Sequence, residues 1–237
     1  MANWITHCTI ADLVLQSLPQ LSRRGFAVGS IMPDCNLENE DWSTFTPPRE
    51  VTHYMRGEKK TSADAEAFLA EHFSGRRFAG EEERSFLLGY YAHLMADRLF
   101  MLFLRDEARL EQCFARLLRS PEHAAALAGH ALSFDMLKQV FGRPTVFADI
   151  LYFEQEYTRA HPQSCYCAIL RPLRSFPDYL PHFPPDAVAR KVRVMIPEAE
   201  PDLPRPSLLF FTQEEYEGYL RETTGQIVRG IRQNIAV

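Results

Sequence analysis

Five residues stand out by type and setting: His7, Asp34, His53, His93 and Asp97. The tightest pair lies in Gly89-Tyr90-Tyr91-Ala92-His93-Leu94-Met95-Ala96-Asp97. On a helix, His93 and Asp97 are one turn apart and point the same way. Imidazole and carboxylate are both good ligands for zinc and similar divalent ions. Two ligands on one rigid helix fix much of a metal's geometry. Gly89, one turn earlier on that face, lets another backbone come close. Spacing alone leaves a second reading open, in which the pair is simply hydrogen-bonded in the core.

The other three sit in suggestive settings. His7 opens the first helix, after Trp4 and Thr6. Asp34 ends Gly29-Ser30-Ile31-Met32-Pro33-Asp34, where an apolar pair leads into a proline turn and a carboxylate. His53 follows Thr52. Taken singly, each has an ordinary explanation: His7 or Asp34 as a helix or turn cap, His53 as a surface residue.

Together, and in order, Trp4…Thr6-His7, Gly29-Ser30-Ile31-Met32-Pro33-Asp34, Thr52-His53 and Gly89-Tyr90-Tyr91-Ala92-His93…Asp97 resemble the zinc-dependent phospholipase C family, whose fold is shared by the S1/P1-type nucleases. The resemblance covers roughly the first 105 residues. It implies that Asp34, His53, His93 and Asp97 bind one metal. Asp97 would bridge to a second, which His7 would also hold, and Asp34 would be the general base near the attacking water. The cofactor would be zinc, as one or two ions, with Mn or Fe as alternatives. A divalent ion lowers the pKa of bound water towards about 7, and a pair of ions can clamp the attacking and leaving oxygens of a phosphate. The chain departs from the family in two ways. Trp4 is internal, so its nitrogen lies in a peptide bond and cannot ligate as a mature N-terminal Trp does. No His-x-x-x-Glu follows Asp97; His123, His130 and Asp135 have the wrong spacing.

The expected function is hydrolysis of a phosphate ester by metal-activated water, on a phospholipid or a small phosphorylated metabolite or nucleotide. A degenerate member that binds metal without catalysis, and a helical bundle with hydrogen-bonded His and Asp, are the rivals. An HD-type phosphohydrolase would want a His-Asp dipeptide, which the chain lacks.

The elements that must position these residues read as helices throughout. Apolar spacing predicts a first helix over 9–18, ended by Pro19 and Gly25. Residues 26–60 read as a long functional loop, which Trp42, Phe45 and Tyr54 can pack down. Thr61 or Ser62 caps a helix to about Phe73. Glu81-Glu82-Glu83 then starts a long helix to about Leu104, with acids suited to the macrodipole. Further helices are predicted at 107–118, 121–128, 133–141 and 146–159. Residues 170–206, rich in proline, should break regular structure. Thr212 and Glu215 form a capping box for a last helix to about Asn234, weakened by Gly218, Gly225 and Gly230. The fold class is all-α, one multi-helix domain over residues 1–237 of phospholipase C/P1 nuclease type with irregular loops.

Bulk properties agree. Over 237 residues, 46% hydrophobic and 24% charged residues fit a packed globular chain rather than a disordered one. A net charge of -5 with no long basic run gives no nucleic-acid-binding surface. Five scattered cysteines and no signal peptide argue against disulfides and for a cytoplasmic protein. Residues 86–104 are long and apolar enough to span a bilayer. Asp97 and Arg98 near the middle would each cost about 2.5–3.5 kcal/mol there, so a central helix of a soluble protein fits better. Arg98 points about 100° around the helix from Asp97 and reads as the partner of a carboxylate. Cys165-x-Cys167 reads as two small buried hydrophobes. Phe176, Tyr179, Leu180 and Phe183, and separately residues 208–211, could line an apolar pocket or simply pack.

Overall fold

The computed structural model describes residues 2–57, 63–197 and 202–234. In chain order the α-helices are α1 (Trp4–Ser17), α2 (Arg23–Gly29), α3 (Arg49–Thr52), α4 (Ala65–Phe73), α5 (Glu81–Phe103), α6 (Glu107–Leu117), α7 (Pro121–Leu127), α8 (Phe134–Phe141), α9 (Arg143–Ala160), α10 (Ala187–Met195) and α11 (Gln213–Asn234). A 3-10 turn, Met32–Asp34, follows α2, and a π-helical turn, Cys165–Leu170, follows α9. The fold is all-α. Its one described sheet is a short antiparallel hairpin of β1 (Leu37–Glu38) and β2 (Phe45–Thr46), with Leu37 opposite Thr46 and Glu38 opposite Phe45.

The spine is α5, buried along most of its length. Its closest neighbour is α2, and small residues make that contact. A methyl group on Gly89 would collide with the Phe26 carbonyl, and one on Gly29 with the Phe86 carbonyl. Backbone meets backbone here, as the bare face at Gly89 predicts. α11 packs on α1 and α5, with Tyr219 tilted against Phe100 and stacked on Phe103. The buried apolar side chains, from Ala2 to Ile231, form one cluster.

Several expectations need correction. The first helix begins at Trp4 rather than Thr9. Its early start has a distant cause, because Glu154 of α9 accepts from the Thr6 backbone N–H at 3.1 Å and from its hydroxyl. That carboxylate satisfies a first-turn donor that Asn3, the residue preceding the helix, leaves open. The loop expected over 26–60 holds α2, the 3-10 turn, the hairpin and α3; Gly25 lies inside α2 rather than ending α1. Its glycines serve close packing instead of a turn. The Thr61 or Ser62 cap lies outside the described residues; within them, Asp64 caps α4 by accepting from Ala67 N–H at 2.8 Å. The proline-rich stretch contains α10, whose apolar side faces the core.

The remaining helices agree with the pattern. Thr212 and Glu215 bond reciprocally, at 2.8 and 3.2 Å, as a capping box. Gly230 admits the Tyr91 hydroxyl against α11. Phe176 and Tyr179 pack on Phe86, Phe183 on Tyr90 and Phe211 on Phe147, whereas Leu208 lines a cavity of about 400 Å3 beside α9 and α11. Cys165 is buried, Cys167 half-buried, and both are free thiols. No single described helix is long and apolar enough to cross a membrane; α5 and α6 pass that test only as a pair bent by 53°.

Candidate metal centre

The five residues are delivered by four pieces of local structure. His7 sits in the first turns of α1 and is 2% exposed. Asp34 ends the 3-10 turn, where Pro33 fixes the chain and Asp34 N–H bonds the Ile31 carbonyl at 3.1 Å. His53 closes α3, its N–H on the Arg49 carbonyl at 2.9 Å. The Tyr90 hydroxyl of α5 donates to the Thr52 carbonyl at 2.5 Å and pins that helix end. His93 and Asp97 project from α5 itself.

The side chains converge. His53 Nε2 lies 3.3 Å from Asp34 Oδ1, 3.3 Å from His93 Nε2 and 3.7 Å from Asp97 Oδ2. His93 Nε2 is also 3.7 Å from Asp97 Oδ2. Ligands about 2.0–2.1 Å from a tetrahedral zinc are separated by roughly 3.3–3.4 Å. These four separations, 3.3 to 3.7 Å, are close to that spacing. Asp97 turns its other oxygen, Oδ1, towards His7 Nε2 at 3.6 Å. The His7 ring stacks on the His93 ring at 3.9 Å between centroids. His7, His93 and Asp97 form one group able to hold an ion, and Asp34, His53 and His93 form another. His123, His130 and Asp135 join neither; Asp135 pairs with Arg105 and Lys138. Arg98 lies 3.4 Å from Glu66, a carboxylate partner as expected.

Protonation follows from the hydrogen bonds. His93 Nδ1 is 2.8 Å from the Ser30 carbonyl and His53 Nδ1 is 3.1 Å from the Arg49 carbonyl. A carbonyl only accepts, so each Nδ1 carries the proton and each Nε2 presents a lone pair to the cluster. Burial, with His7 alongside, pushes the His93 pKa well below its ordinary value and keeps the ring neutral. His7 Nε2 is buried with no hydrogen-bond partner among the described residues. Facing lone pairs beside carboxylates suit a cation, and the orphaned His7 nitrogen fits the same group.

Residues 6–100 match the family model of zinc dependent phospholipase C. All five residues lie inside that stretch, and the resemblance carried by the short motifs is borne out there. Neither the curated proteins nor the solved structures give a match. Relative to the phospholipase C motifs, the sequence reading overlooked the supports: the Ser30 and Arg49 carbonyls, the Tyr90 hydroxyl, and Ala2 N–H, which donates to Asp97 Oδ1 at 3.3 Å. Three of these four are backbone groups, and no side-chain pattern marks them.

Proposed function

We propose that the chain is a metal-dependent hydrolase of phosphate esters, a phospholipase C-like phosphodiesterase or phosphatase working as one helical domain. His7, Asp34, His53, His93 and Asp97 would hold one or two divalent ions, with zinc first and Mn or Fe as alternatives. The observation that carries this reading is the convergence of Asp34 Oδ1, His93 Nε2 and Asp97 Oδ2 on His53 Nε2, at 3.3, 3.3 and 3.7 Å. When bound, the ion supplies Lewis acidity towards water and a phosphoryl oxygen.

The protein's own groups divide the remaining work. The carbonyls of Ser30, just after α2, and of Arg49 in α3 lock the His93 and His53 rings so that ligand geometry is set before substrate arrives. Asp97, 1% exposed, faces both ligand groups and suits a bridging role. Asp34 alone of the five lines a neighbouring cavity of about 380 Å3. From there its carboxylate can accept a proton from water on the substrate's side, as general base. The substrate would be a small phosphorylated molecule or a phospholipid.

Metal analysis of the purified protein, followed by turnover of a generic phosphodiester with added Zn2+ or Mn2+, tests this. Bound metal with metal-dependent turnover is expected. A protein with no metal and no affinity for it would end the proposal. Metal uptake without turnover would reduce it to a non-catalytic metal-binding protein.

A further inference from the structure

The cavity that touches Asp34 also has Arg49, Lys191, Trp42 and Phe45 on its walls. The carboxylates around it are already engaged. Glu38 is shared by Lys191 and by Arg190 at 3.2 Å. Glu154 is occupied by Asn3 at 2.9 Å and by the Thr6 amide and hydroxyl. Asp34 faces His53.

Arg49 differs from these groups. Its guanidinium lies over the Phe45 ring, 3.9 Å from the centroid, and makes no hydrogen bond or ion pair with any described residue. Its carbonyl meanwhile accepts from His53 Nδ1, so the main chain of Arg49 is tied to the cluster while its charge faces the cavity. Lys191, 2% exposed, holds its ammonium 5.0 Å from the Trp42 ring and 5.7 Å from the Phe45 ring. The Trp42 and Phe45 faces, which would attract a cationic ligand, therefore already carry fixed cations. Two further wall residues, Trp4 and Asn36, have buried N–H donors without an acceptor among the described residues. With Lys191 balanced by Glu38 and the nearby carboxylates engaged, the uncompensated Arg49 charge and the two spare donors favour an anion over a cation here.

We propose that this cavity is an anion subsite. The group of the substrate that lies beyond the phosphate at the metal cluster carries negative charge, and Arg49 is the specificity-determining residue that binds it. This rests on reading the cluster as a phosphate-ester centre, and it narrows the substrate class: a phosphate ester with a second anionic group, not one with an ammonium headgroup.

The two tryptophans of the chain, Trp4 and Trp42, both line the cavity, so intrinsic fluorescence reports its occupancy. The full chain, loaded with zinc and assayed for zinc content, is titrated with two probe series. One carries a phosphonate and a carboxylate separated by two to six carbons; the other replaces the carboxylate by an ammonium. The best carboxylate probe should bind about tenfold or more tightly than the best ammonium probe. Arg49→Gln keeps the carbonyl that orients His53, so it should keep its zinc and bring the ratio to within about twofold. Arg49→Lys keeps the charge and should retain a clear preference. Equal or tighter binding of the ammonium series overturns the subsite while leaving the metal centre standing, provided zinc is bound. An unchanged ratio in Arg49→Gln, or identical ratios in the two variants, overturns the role of Arg49. Failure to take up zinc or either probe overturns both proposals together.

Discussion

Residues 4–97 and residues 107–231 both bury polar and charged side chains at the centre of the protein, and they treat them in opposite ways. In the later stretch, buried charge meets its complement in the backbone. Asp149 of α9 accepts from the N–H groups of Leu208, Phe210 and Phe211 at 3.1, 2.9 and 2.9 Å. Arg109 of α6 donates to the carbonyls of Phe103, Leu104 and Phe210 at 3.0, 2.9 and 3.1 Å, closing the end of α5. In the earlier stretch, two imidazole lone pairs face one another at 3.3 Å, and a third buried nitrogen, His7 Nε2, has no hydrogen-bond partner among the described residues. Satisfied burial builds a scaffold. An arrangement that calls for a cation costs stability without one, so it marks the chemistry. The phospholipase C match falls on the stretch that holds this arrangement and leaves the scaffold outside it.

Mutations should separate the two. The largest effect is expected for His93→Ala, which removes the atom common to both ligand groups. Metal affinity should fall by well over about 100-fold, since changes to a ligand's support alone cost 10–100-fold. Elemental analysis together with circular dichroism checks that helix content survives, and normal activity in this variant would misplace the site. Asp149→Ala should do the reverse. Stranding three buried N–H groups costs about 4 kcal/mol in urea unfolding, at about 1–3 kcal/mol for each group left unmade. Zinc per folded chain should stay constant.

Gly89→Ala joins the two effects. The added methyl has to push α2 off α5, at about 3 kcal/mol for overpacking, and α2 leads into Ser30, whose carbonyl holds His93. Both the urea midpoint and zinc affinity should drop; a drop in stability alone would show that ring orientation does not depend on this contact. His7→Ala is expected to lower zinc stoichiometry while leaving the ion at Asp34, His53 and His93. An unchanged metal-to-protein ratio would argue for one ion.

The smallest effect is a pH dependence. Burial works against the charge of Glu38, but hydrogen bonds from Lys191, the backbone and Arg190, with the Lys191 charge, bring its pKa down to about 2. A carboxylate whose folded pKa lies below its unfolded value near 4.3 adds stability above about pH 4.3 and loses it as the pH falls towards 2. Glu38→Gln lacks this contribution. Its stability deficit against the parent chain should shrink as urea titrations move from pH 5 towards pH 2.5, and a constant deficit would remove the ion pair from the account.

Side-chain chemistry and helical periodicity were open to reading before any fold was known. His93 and Asp97 share a face because 3.6 residues make a turn, the Thr212–Glu215 box needs only local spacing, and α5 is legible from its acidic start and apolar run. The sequence determined the ligand types, the all-α class and the bare face at Gly89, since each depends on neighbours in the chain. Only the tertiary structure decided that α1 starts at Trp4, that Arg49 both orients His53 and faces a cavity, and that Lys191 lies between Glu38 and two aromatic rings. Those outcomes rest on contacts such as Glu154 to Thr6, 148 residues apart, or Lys191 to Glu38, 153 apart, and on carbonyl groups that every residue carries alike. No local pattern encodes such partners; they are set when α9 meets α1 and α10 meets β1.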